Sequence, residues 1–170
     1  MTFGGDMNWG STRAESTAII DRYLSLGGNF IDTANLNTQG RSETILGEHL
    51  ADRRDRLVLA TKFSGNLHPD DPNGGGSNRK SVIAACEASL RRLKTDYIDL
   101  YWLHNWDKHT PIEETMATLH TLVASGITPW SPLCGGPPQR EVHASERGLV
   151  EVRSRRLRHA SPRRAALRHR

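Results

Sequence analysis

Tyr97-Ile98-Asp99-Leu100-Tyr101-Trp102-Leu103-His104 is a hydrophobic run that ends on an imidazole, and two earlier runs share its design. Asn29-Phe30-Ile31-Asp32 ends on a carboxylate, and Leu57-Val58-Leu59-Ala60-Thr61-Lys62 ends on an amine. Near-continuous apolar runs mark parallel strands buried on both faces, and enzymes built on such strands gather their chemistry at the C-terminal ends. Asp32 and Lys62 stand 30 residues apart, and Lys62 and His104 stand 42 apart. Each interval holds one strand, one helix and two loops. The runs predict repeated βα units with an acid, an amine and an imidazole at one end of the sheet.

Helical stretches fill the intervals. Residues 13–26 carry Ala18, Ile19, Tyr23 and Leu26 at helical spacing and stop at Gly27-Gly28, where a C-terminal glycine belongs. Residues 42–50 predict a short helix with Ser42 as N-cap and Ile45, Leu46 and Leu50 turned inward. A third helix begins near Ser77, with Val82, Ile83, Cys86, Leu90 and Leu93 on one stripe and Arg91, Arg92 and Lys94 at the end that the helix dipole makes negative. Thr110-Pro111-Ile112-Glu113 reads as a capping box with proline at the first helical position, opening a fourth helix that closes at Gly126.

Several strings, in order, resemble the aldo-keto reductases. They are Met1-Thr2-Phe3-Gly4, Gly28-Asn29-Phe30-Ile31-Asp32-Thr33-Ala34-Asn35, Gly40-Arg41-Ser42-Glu43, Ala60-Thr61-Lys62-Phe63, the run from Ser89 to Tyr101, and Leu103-His104. The resemblance covers residues 1–136 and implies an α/β fold, a (β/α)8 TIM barrel, that transfers hydride from NADPH to a small carbonyl substrate. It also implies a catalytic tetrad of Asp, Tyr, Lys and His, of which Asp32, Lys62 and His104 are matched. The tyrosine belongs five residues after the aspartate, and Asn37 stands there.

That departure touches the proton. As hydride reaches a carbonyl carbon, the oxygen gains negative charge and must be protonated. A phenol beside a lysine can release a proton, whereas the amide of Asn37 donates a hydrogen bond and has none to give near neutral pH. The expectation is a reductase that is weak or inactive, the alternative being a non-catalytic remnant. Tyr97 and Tyr101 differ in parity from His104 on the same run, so strand alternation turns them away from it.

A (β/α)8 barrel needs about 250 residues, and this sequence has 170. The resemblance places Met1 at the end of the family's first strand. It also matches Ile127-Thr128-Pro129-Trp130-Ser131-Pro132-Leu133-Cys134-Gly135-Gly136 to the seventh strand and pyrophosphate loop, which leaves two strands missing after Gly126. The expected architecture is a partial barrel over residues 1–136. Ser131 and Leu133 are its candidate cofactor-binding residues, and Trp9 and Trp106 are candidate walls of the substrate pocket. Open strand edges would then invite self-association.

Residues 137–170 differ in kind. They hold ten basic residues, all Arg, against three acidic ones, while residues 1–136 hold thirteen against sixteen. The net charge of +4 is thus a property of the tail. With few apolar residues the tail cannot bury a core, and disorder is expected. Arg153-Ser154-Arg155-Arg156-Leu157-Arg158 suits nucleic-acid phosphates or anionic lipid. A frame-shifted GC-rich reading accounts for the same composition and is favoured, so nucleic acid is not the expected partner. Cys86 and Cys134 form no metal-ligand or disulfide pattern, and His49, His68, His109 and His120 lack ligand spacing. Gly74-Gly75-Gly76 follows no strand and reads as a flexible turn. The absence of an apolar membrane span or a basic leader points to the cytoplasm.

Overall fold

A computed structural model describes residues 3–5 and 10–127. Three strands, β1 (Phe30–Asp32), β2 (Val58–Phe63) and β3 (Leu100–Leu103), alternate with four helices, α1 (Arg13–Ser25), α2 (Arg41–Leu50), α3 (Arg79–Leu93) and α4 (Ile112–Ala124). Short 3-10 turns at Asn37–Gly40 and Ala51–Arg56 flank α2. The strands form one parallel sheet in sequence order, with Asp32 beside Ala60, Ala60 beside Leu100 and Lys62 beside Trp102. This is a partial barrel of βα units, as the three runs predict. The expected strand at Ile127-Thr128, the loop carrying Cys134 and the Arg-rich tail lie outside the described residues, apart from Ile127.

Alternation along each strand sorts the side chains. Ile31, Leu59, Thr61, Phe63, Tyr101 and Leu103 are buried toward the helices. The intervening residues Asp32, Lys62, Trp102 and His104 are half-buried and share the opposite face. Two cores result. Phe3, Ile20, Ile31, Ile45, Leu46 and Leu59 pack on the β1 side, while Phe63, Val82, Cys86, Tyr101, Leu103 and Leu119 pack on the β3 side. Each such side chain contributes about 1.5–3 kcal/mol on burial. The rings of Phe63 and Tyr101 meet at 4.8 Å and join neighbouring strands.

The helix limits follow the sequence, and some details correct it. In α1 the inward stripe is Ser16, Ile20 and Leu24, and the expected stripe is exposed, with Ile19 at 50%, Tyr23 at 41% and Leu26 at 69%. Ser16 fits inward because its hydroxyl donates to the Thr12 carbonyl at 2.7 Å, so a small polar group is buried with its bond made. A capping box of Thr12 and Glu15 opens this helix, and Gly27, at φ +87°, ends it.

The N-cap of α2 is Gly40 rather than Ser42, whose buried hydroxyl instead pairs with Thr33 Oγ1 at 3.0 Å. Asn78 caps α3 by accepting from the Ser81 N–H at 3.0 Å. The expected box at Thr110 is absent: Pro111 occupies the N-cap, and the Thr110 hydroxyl donates to Asp107 at 2.7 Å.

Candidate active site

Asp32, Lys62 and His104 come together on three adjacent strand ends. Lys62 lies inside β2, so alternation fixes the side of the sheet it takes, and two partners fix its tip. The Lys62 Nζ donates to Asp32 Oδ2 and, at 2.9 Å, to the Thr33 carbonyl. The His104 N–H donates to the Phe63 carbonyl at 3.1 Å, which extends the β2–β3 ladder by one residue and sets the imidazole beside Lys62.

The imidazole is held neutral. Burial disfavours its charged form, and the nearby Lys62 cation adds to that, so its pKa lies below the usual histidine value. Its Nδ1 is buried and has no hydrogen-bond partner among the described residues. A proton there would be a buried donor without an acceptor, so the favoured tautomer carries it on Nε2. The site thus presents an ammonium and a neutral imidazole N–H, both donors, with a carboxylate holding the first.

Asn37 opens the 3-10 turn that follows β1. Its side chain is half-buried and has no hydrogen-bond partner among the described residues. Next to it, Thr38 (φ +46°) and Gln39 (φ +54°) lie in the left-handed region, which costs about 1–2 kcal/mol for each residue with a Cβ. A bond from the Thr38 hydroxyl to the Phe3 carbonyl at 2.5 Å anchors this strained turn.

None of the three tyrosines takes the acid's place. Tyr101 is buried on the helix side, and burial pushes its phenol well above the ordinary value. Tyr97 lies under the Arg54 guanidinium, 3.8 Å from its ring centre. Tyr23 is engaged at the first residue of β1.

Trp106 is 44% exposed in the loop after β3. Trp9, Ser131 and Leu133 lie outside the described residues.

Three supporting features escaped the sequence reading. Trp102 is level with Lys62 across the sheet, and its indole Nε1 is buried without a partner among the described residues. Its two-residue offset from His104 signalled this placement. Glu43 is fully buried, accepting from the Thr61 hydroxyl and from Arg92 Nε at 2.6 Å each. It thereby pins β2 one residue before Lys62. Arg92 in turn packs on Gly40, where a Cβ would stand 2.9 Å from its Cδ, and so supports the turn bearing Asn37.

Asp107 is the third feature. It binds the Ser77 N–H at 3.0 Å and the His109 N–H at 2.9 Å, together with the Ser77 and Thr110 hydroxyls. Burial opposes its charge, but these hydrogen bonds outweigh burial and bring the carboxyl down to about 2.

A family model for the aldo/keto reductases matches residues 1–130. The chain belongs to the aldo/keto reductase family. Among curated reductases it is 46% identical over 136 residues to norsolorinic acid reductase stcV of Emericella nidulans, covering 74% of this chain and 35% of the relative. It is 39% identical over 132 residues to the putative aryl-alcohol dehydrogenase AAD14 of Saccharomyces cerevisiae, covering 73% and 34%. The solved aldo-keto reductase AKR11C1 from Bacillus halodurans, in its holo form, superposes with a TM-score of 0.67 at 35% identity, over 73% of this chain and 42% of that one. The chain spans about a third of the length of the curated reductases it matches.

Reductases of this family generally use a nicotinamide dinucleotide. The donor set at Lys62 and His104 fits the reacting end of such a cofactor, and the orphaned Nδ1 fixes which His104 nitrogen serves it. Clefts of about 520, 520 and 200 Å³ lie elsewhere, and none is lined by Asp32, Lys62 or His104. The candidates for the phosphate end, Ser131 and Leu133, are outside the described residues. Among those residues no helix is long and apolar enough to cross a membrane.

Proposed function

We propose that this chain carries the carbonyl-reducing site of an NADPH-dependent aldo-keto reductase acting on a small aldehyde or ketone, and that turnover is slow. The observation that carries the reading is the Lys62 ammonium, held by Asp32 and the Thr33 carbonyl, beside the neutral imidazole of His104 on adjacent strand ends. The cofactor, when bound, supplies the hydride.

The chain's own residues manage the oxygen. The Nε2–H of His104 orients the carbonyl, and the Lys62 ammonium meets the negative charge that develops on it. Asp32 keeps that ammonium in place. Asn37 adds at most a neutral hydrogen bond, and His104, being neutral, is a poor acid, so the proton comes from water. Loss of a positioned general acid lowers the rate by about 10² to 10⁴.

The lack of any partner for Asn37 favours a second reading, a non-catalytic remnant of the same site. An NADPH fluorescence titration on monodisperse protein separates the two. Saturable binding below about 1 mM, the upper end of ordinary Michaelis constants, supports the reductase. A linear response throughout that range sinks it and leaves the remnant.

A further inference from the structure

Among the described residues β1 is an outer strand of the sheet, yet its outer edge is not bare. The Asn29 carbonyl accepts from the Val58 N–H at 2.8 Å, and the Thr33 N–H donates to the Ala60 carbonyl at 2.9 Å. Odd-numbered residues therefore direct their backbone groups toward β2, and alternation turns the N–H and C=O of Phe30 the other way. One atom takes up both. The Tyr23 hydroxyl donates to the Phe30 carbonyl at 2.9 Å and accepts from the Phe30 N–H at 3.2 Å. A hydroxyl suits this double duty, having one donor and two lone pairs.

The approach depends on Gly28. A Cβ at that position would stand 2.5 Å from Tyr23 Cε1, so only glycine lets the ring lie across the chain and reach Phe30. Around this contact the surface is apolar, with Ile19, Leu26 and Phe30 exposed. Unpaired edge groups flanked by apolar side chains form a template for another strand. The most available strand is the same edge on a second copy, since every copy presents it.

We propose that Tyr23 is an edge latch. Its hydroxyl stands where a neighbouring strand's backbone would and closes β1 against pairing with a second copy of the chain. An incoming strand has to displace one atom and break two hydrogen bonds before it gains any. The latch narrows the self-association expected of open edges: β1 is shut until Tyr23 leaves.

Amide hydrogen exchange followed by NMR on the full chain tests the latch. In the wild type the Phe30 amide is protected relative to that of Asp32, which leaves the same edge. In Tyr23→Phe, which keeps the ring, Phe30 exchanges about tenfold faster, the effect of losing one neutral hydrogen bond, and Leu59 is unchanged. Light scattering across a concentration series shows Tyr23→Phe associating at about tenfold lower concentration than the wild type. Gly28→Ala, which displaces the ring and leaves the hydroxyl intact, behaves likewise. Equal exchange of Phe30 and Asp32 in the wild type overturns the latch without reference to any variant. So does a Tyr23→Phe protein whose Phe30 exchange or oligomeric state follows the wild type.

Discussion

Replacing Glu43 with alanine strands two buried partners at once. The carboxylate has no solvent exposure, and its oxygens each receive one bond of 2.6 Å, from the Thr61 hydroxyl and from Arg92. Breaking a buried ion pair by removing one partner costs about 3–5 kcal/mol. Arg92 keeps 22% side-chain exposure and a bond to Ser89 Oγ at 3.3 Å, so it rehydrates in part, which favours the lower end, about 3 kcal/mol. Thr61 is fully buried, and its orphaned hydroxyl adds about 1 kcal/mol. The expected loss for Glu43→Ala is therefore about 4 kcal/mol. Glu43→Gln, which keeps an acceptor and most of the volume, loses about 2 kcal/mol. Urea unfolding followed by circular dichroism measures both, provided the slopes agree. Thermal scans should show the alanine variant melting about 15 °C lower. The reasoning fails if both variants lose less than about 1 kcal/mol, or if Glu43→Ala and Arg92→Ala prove additive within about 0.5 kcal/mol in a double-mutant cycle.

At Gly47 a Cβ would stand 2.6 Å from Leu93 Cα, against backbone that cannot yield, so Gly47→Ala should cost about 2–3 kcal/mol in the same urea assay. The Asp107 carboxyl titrates at about 2, below its unfolded value of 3.8, so its stabilisation is complete above about pH 4 and is lost as the pH falls toward 2. Melting temperatures between pH 5 and pH 2 should fall more steeply for the wild type than for Asp107→Asn, and parallel curves would contradict the assignment. Asn37→Tyr should raise NADPH-dependent reduction of a generic aldehyde by about 10² or more. An unchanged rate would locate the limiting defect away from the proton donor.

The apolar runs made the parallel strands legible, and with them the positions of Asp32, Lys62 and His104, because burial on both faces leaves a composition that few other structures share. Parity gave the facing of Tyr101 correctly for the same reason: a strand's period is two and admits no intermediate answer. The helices were harder. On α1 the stripe Ile19, Tyr23, Leu26 looked like a core face, but close packing favoured the small Ser16 with its own hydrogen bond, and the larger residues turned outward. Ser42 and Thr110 looked like caps, yet each hydroxyl was claimed by a partner distant in the fold or in the next loop, Thr33 and Asp107. Local propensity is silent about such competition. Glu43 was quoted as part of a string, but its burial depends on Arg92, 49 residues away, and no local pattern reports that pairing.

The distance from Glu43 to Arg92 also orders events in time. Strands and helices join in sequence order, so each unit settles on one already made, and local contacts of this kind fold quickly. During synthesis, at about 5–20 residues per second, α2 emerges carrying a carboxylate whose countercharge does not yet exist. For several seconds the first two strands and helices hold an acid they cannot bury without penalty. Completion of α3 releases that brake, so the nascent chain commits to its packed state only when the third helix has arrived.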